Sequence, residues 1–156
     1  MTGRSVTHAT FAIERSYPAT PQRVFAALSD PVKKRRWFRE EDGSETFEFE
    51  MDFRVGGHER SSFRIKGGPV DGMLCTNDTT YQDIVPDSRI VLAYTMALGE
   101  RRFSASLATF ELLPEQAGTK LIFTEHGAFF EGSDSPEMRK DGWQGLLDRL
   151  ANELAS

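Results

Sequence analysis

A chain of 156 residues with one cysteine, twelve phenylalanines and a formal net charge of -5 fits one domain, residues 1–156, around one sizeable core. The acidic balance argues against a nucleic-acid partner, since neutralising phosphates takes a basic surface. No run of about 18 apolar residues is present to span a bilayer, the opening MTGRSVTHATFAIER lacks the apolar stretch of a secretion signal, and the lone Cys75 cannot form an intramolecular disulfide. A cytoplasmic protein without membrane insertion is expected. His8, His58 and His126 are too widely spaced for a dedicated zinc site.

In chain order, HATFAIERSY alternates with Phe11 and Ile13 on one face, as a half-buried strand does. Thr20 before Pro21, and Asp30 before Pro31, each put a capping oxygen ahead of a proline at the first helical position. Two short helices are predicted, ending near Leu28 and Phe38. The run Lys33-Lys34-Arg35-Arg36 reads as the solvated face of the second. The alternative is a docking patch for an acidic partner, with Trp37 and Phe38 as apolar anchors or as a lid over a cavity entrance. FEFEMDFRV then has nearly perfect period two, with Phe47, Phe49, Met51 and Phe53 inward and Glu48, Glu50, Asp52 and Arg54 outward. Turns at Gly56-Gly57, Gly67-Gly68-Pro69, Pro86-Asp87 and Ala117-Gly118 divide the following strands into an antiparallel meander. The inward sets are Ile90, Leu92, Tyr94 and Met96 in RIVLAYTM, and Ala108, Phe110 and Leu112 in SASLATFELL. In TKLIFTEHGAFF alternation places Leu121, Phe123 and Glu125 inward and His126 on the other face.

The chain closes with a long helix. Ser135 caps it and Pro136 opens it; Met138, Trp143, Leu146, Leu147, Leu150 and Leu154 recur at helical spacing, with Arg139, Lys140, Asp148, Arg149 and Glu153 falling mostly between them. Gly142 and Gly145 interrupt this helix, each costing about 1 kcal/mol relative to alanine. Close packing of a strand or bulky side chain against the bare backbone is the first expectation, and room for a ligand the second.

These periodicities point Phe49, Met51, Phe53, Phe63, Tyr81, Tyr94, Met96, Phe110, Phe123, Trp143 and Leu147 into one interior. They either fill a core or, with Trp37 and Phe38, line a ligand cavity. A buried phenol needs a partner, so Tyr81 and Tyr94 satisfy each other or the backbone, or orient a polar ligand group. Glu125 and His126 are the weak catalytic candidates: a carboxylate at the mouth of an apolar pocket has its pKa raised and serves as a base or a cation site. A structural pair with Arg60, Arg64, Arg101 or Arg102 competes with that reading. No nucleophile–base set, phosphate loop or metal-ligand spacing occurs, so no cofactor and no metal are expected.

The order strand, helix pair, six strands and long helix resembles the α+β helix-grip fold of the START and birch-pollen-allergen superfamily, SRPBCC. In that fold a curved antiparallel sheet of six or seven strands wraps around the C-terminal helix. YPATPQRVFAALSDP with its following WF, DFRVGG, YQDIVPDSRIVLAYTM, and TKLIFTEHGAFF with GW and LLDRL are similar to the branch named for the HSP-90 ATPase activator. The resemblance implies a cavity between sheet and helix for a lipid, polyketide or other apolar small molecule. It also implies, as alternatives, stimulation of a chaperone ATPase, polyketide cyclase or hydrolase chemistry, or sequestration of a reactive compound. An exposed edge strand offers a surface for a homodimer.

Overall fold

The computed structural model describes residues 5–39 and 46–156. The elements are β1 (Val6–Tyr17), α1 (Pro21–Ser29), α2 (Pro31–Phe38), β2 (Thr46–Met51), β3 (His58–Arg64), β4 (Leu74–Val85), β5 (Arg89–Leu98), β6 (Arg101–Glu115), β7 (Gly118–Phe130) and α3 (Pro136–Ala155). All seven strands join one antiparallel sheet in the order β1-β7-β6-β5-β4-β3-β2. Strand by strand this is a meander, closed at the far edge by the first strand returning beside the last.

The caps form as the sequence predicts. Thr20 Oγ1 accepts from the Arg23 N–H at 3.2 Å, Asp30 Oδ1 from those of Val32 and Lys33 at 2.9 and 3.3 Å, and Ser135 Oγ from that of Met138 at 3.1 Å. Each supplies an acceptor to an otherwise orphaned N–H of a first turn. One strand is shorter than expected: β2 stops at Met51, because Asp52 to Gly57 fold into a turn in which Gly57 N–H reaches back to the Arg54 carbonyl. A Cβ on Gly57 would lie 2.1 Å from the Asp52 carbonyl oxygen, so only glycine fits that turn. Phe53 nevertheless folds inward, edge-on to Phe25 and Tyr81. The expected inward position of Phe47 lies outside the residues whose side chains are described.

The core lies between the concave sheet face and the helices. Phe123 and Trp143 stack at 4.2 Å between ring centroids, with Phe110 against both at 5.0 and 5.9 Å. Leu147 and Leu150 are fully buried beneath them. Polar ties fix α3 to its surroundings: the Tyr17 hydroxyl donates to the Leu147 carbonyl at 2.9 Å, Arg23 to that of Leu154 at 2.6 Å, and Arg36 grips Glu153 with two nitrogens. The arrangement is the expected helix-grip α+β fold.

Candidate ligand pocket and its buried charges

Alternation splits the concave face into two regions. Ile13, Leu92, Phe110, Leu112, Leu121 and Phe123 pack together in the core. Beside them runs a band of buried polar side chains, Glu59, Ser61, Ser104, Ser106 and Glu125. A pocket of about 220 Å³ opens over this band, between β3–β5, the end of α2 and the N-terminal half of α3. Phe38, Phe63, Met96, Trp143 and Leu146 give it apolar walls, and Arg39, Asn77, Tyr94, Asp134, Arg139 and Arg149 give it polar groups.

Glu125 is the centre of the band. Its carboxylate is fully enclosed, accepting from the Tyr94 hydroxyl at 2.6 Å, from Ser106 Oγ at 3.0 Å and from Arg139 Nη1 at 3.4 Å. Arg139 reaches it from α3, not Arg60, Arg64, Arg101 or Arg102. Arg60 is bound to Glu48 and Asp78, and Arg64 and Arg101 to backbone carbonyls. Arg139 spends its remaining donors on Ser104 and, twice at 2.8 Å, on Asp134. Its full set of N–H groups is therefore engaged. Trp143 Nε1 adds a bond to the Tyr94 oxygen at 3.2 Å.

Burial raises the Glu125 pKa above the ordinary carboxylate range, opposed by the Tyr94 hydrogen bond and the Arg139 charge. Burial, then the neighbouring carboxylate, raises the Tyr94 phenol as well. The folded protein thus holds the Glu125 proton more tightly than the unfolded chain, where a glutamate titrates at about 4.3. Stability from this group is fully present below that value and declines as the pH rises through the folded one. Glu125→Gln, which cannot titrate, should gain stability relative to the parent across that window; urea midpoints measured against pH would show it, and parallel curves would contradict it.

A second buried pair flanks the pocket. Lys34 Nζ lies 2.8 Å from Glu59 Oε1, the same oxygen that accepts a short bond from the Tyr81 hydroxyl. Both charged side chains are buried. The basic run of α2 is therefore not wholly a solvated face: one of its four residues is a core cation, facing inward because Glu59 on β3 must be neutralised. Among the described residues neither tyrosine pairs with the other or with backbone; each bonds a buried carboxylate.

Of the other residues expected to line a cavity, Phe38, Phe63, Tyr94, Met96 and Trp143 meet at the pocket. Trp37, Tyr81, Phe110, Phe123 and Leu147 are buried in the core, and Phe49, Met51 and Phe53 are half-buried against it. Trp37 has no exposed surface and its indole donates to the Ala27 carbonyl at 2.8 Å, so it is neither lid nor anchor. His126 turns to the opposite sheet face and meets Thr10 Oγ1 at 3.0 Å. Close packing does not explain Gly142: a Cβ there would meet nothing within 4 Å. Met138, expected inward, is 64% exposed, and Arg139 takes its place. The signal for Arg139 was in the sequence: the stripe Leu154, Leu150, Leu147, Trp143 continues four residues back to position 139. Likewise the parity of Phe63 leads to Ser61 and Glu59, and that of Tyr81 to Asn77.

A curved sheet gripping one long helix over a pocket of mixed lining defines a helix-grip protein of the START-like class, a fold that commonly binds hydrophobic ligands. Residues 18–155 match the family described as activator of Hsp90 ATPase homolog 1-like protein, and the chain belongs to that family. It is similar to an uncharacterised protein of Rhizobium leguminosarum, at 42% identity over 99% of both chains with a TM-score of 0.91. To the Mll3558 protein of Rhizobium loti it is 51% identical over 96% of this chain and 99% of that one, with a TM-score of 0.85. DynU16, from the dynemicin biosynthetic locus, shares the fold at 19% identity and a TM-score of 0.67, over 94% of this chain and 47% of its own. No curated protein matches the chain. Among the described residues no helix is long and apolar enough to cross a membrane.

Proposed function

We propose that the protein binds a small apolar or aromatic molecule in the pocket between sheet and α3. The observation that carries this reading is the lining: the apolar side chains of Phe38, Phe63, Met96, Trp143 and Leu146 wall the pocket between β3–β5 and α3. Gly142 supports the same reading, since the helix forgoes about 1 kcal/mol there with no packed neighbour to require it. The volume of about 220 Å³ falls between a cavity of ~150 Å³ that takes benzene and the ~300–1,000 Å³ of drug-sized sites. One or two rings fit it better than a long acyl chain.

A catalytic reading would need Glu125 or His126 to reach the ligand. Glu125 lies enclosed behind Tyr94 and Arg139, and His126 faces away.

The test is a thermal-shift screen against small ring compounds, flavonoids, polyketide-like aromatics, sterols and fatty acids. A ligand at one hundred times its Kd adds about 2.7 kcal/mol of stability. The expected result is a saturable shift confined to small ring compounds and lost in Gly142→Leu, itself at least as stable as the parent. A flat response across the panel, or a shift that Gly142→Leu leaves intact, would overturn the reading.

A further inference from the structure

We infer that two copies of the chain pair antiparallel through the outer edge of β1, about a two-fold axis at Thr10, so that the sheet continues from one molecule into the other. The two ends of the sheet are built differently. β2, at one end, has six residues, shifts its register with β3 between Thr46 and Glu48, and carries Glu48 and Glu50. A short, irregular, charged edge strand resists pairing with another chain. β1, at the other end, has twelve residues in unbroken register with β7 and contains neither proline nor lysine. From Val6 to Ile13 its outer side is open: among the described residues the backbone hydrogen bonds of this stretch go to β7 alone. Beyond it the molecule closes the edge itself. Arg15 donates to the Glu14 carbonyl at 3.3 Å and to Asp148 of α3 at 3.4 Å, and Tyr17 reaches the Leu147 carbonyl.

What this edge offers fits its own copy. An axis through a residue keeps outward side chains on the outward face, as a continuous sheet requires. With the axis at Thr10 each residue from Val6 to Ile13 gains a partner, over about 30 Å of strand. On the outer face Thr10 meets Thr10 of the second copy and His8 meets Ala12; on the inner face Ala9 meets Phe11 and Thr7 meets Ile13. Phe11 packs on Phe123 at 6.3 Å but is only partly buried, and Ala9 of the second copy covers more of it. The net charge of -5 does not oppose the contact. The two charged side chains of β1 are neutralised within their own molecule, Glu14 by Lys120 at 3.0 Å and Arg15 by Asp148 at 3.4 Å, and no like charges face each other across the axis. A two-fold contact of this kind closes on itself and leaves no open β1 edge to recruit a third copy.

Sedimentation equilibrium of the full chain at rising concentration tests this. Pairing of edges covers little apolar surface, so dissociation in roughly the micromolar range is expected. The mass should climb from 17.6 kDa toward twice that value. Ala9→Lys, which sets a charge against Phe11 of the second copy, should hold the protein monomeric; its urea midpoint at low concentration checks that it is folded. Thr10→Cys in oxidising buffer should give a disulfide-linked dimer, because opposed Cα atoms in an antiparallel pair lie about 4.5–5.5 Å apart. Ala12→Cys, whose two-fold mate lies about 14 Å away, should not, and Cys75 is buried and contributes to neither. A monomeric mass at every concentration up to about 1 mM overturns the inference. A dimer that Ala9→Lys leaves intact, or equal cross-linking from positions 10 and 12, overturns it as well. The outcome is independent of whether the pocket binds a ligand.

Discussion

Arg139→Met should cost about 3–5 kcal/mol of stability near neutral pH, because it strands a charge in the interior. Glu125 has no exposed surface, and among the described residues Arg139 is the one cation that hydrogen-bonds it. Without it the carboxylate must stay charged and uncompensated or take up a proton. Protonation becomes easier as the pH falls, so the deficit should shrink with falling pH as the buried, unpaired carboxyl takes up its proton. The loss of Asp134's partner adds less, since that side chain is 24% exposed and water can serve it. Combining Glu125→Gln with Arg139→Met should recover much of the loss, as the charge and its partner leave together. Urea denaturation at two pH values measures all of this. A cost below about 1 kcal/mol that does not vary with pH would mean that the pair is not what holds the strands to α3.

The second large effect is expected at the end of α2. Trp37→Ala should cost about 3–5 kcal/mol, the range for deleting a buried indole, since Trp37 is completely buried and its Nε1–H is satisfied by the Ala27 carbonyl. Phe38→Ala should cost in the same range. The two rings touch edge to face at 5.6 Å, and Phe38 also meets Trp143 at 6.2 Å, so the losses should not add. Against a typical stability of about 5–15 kcal/mol, the double variant should be close to unfolding. Denaturant midpoints and near-ultraviolet circular dichroism would show it. Intact folding with lost ligand binding would instead return these residues to the role of a surface anchor.

Caps, prolines and hydrophobic periods act within a few residues, so α1, α2, α3 and most strands were legible from Thr20-Pro21, Asp30-Pro31, Ser135-Pro136 and the alternations around Tyr94 and Phe123. The inward side of β7 was legible as well, Glu125 included. Its partner was not, because a buried carboxylate demands a cation without saying from which element it comes. Lys34 looked solvated within its basic run until Glu59, 25 residues away, drew it inward. Arg139 is polar by type, although its position continues the apolar stripe of α3. Local sequence fixes which backbone forms and which face is apolar, since those are near-neighbour energetics. Which polar side chains are buried together, and whether Gly142 borders packed atoms or open space, depends on elements distant in the chain. Only the closing of the sheet around α3 decided it, by setting which charges had to be neutralised out of water.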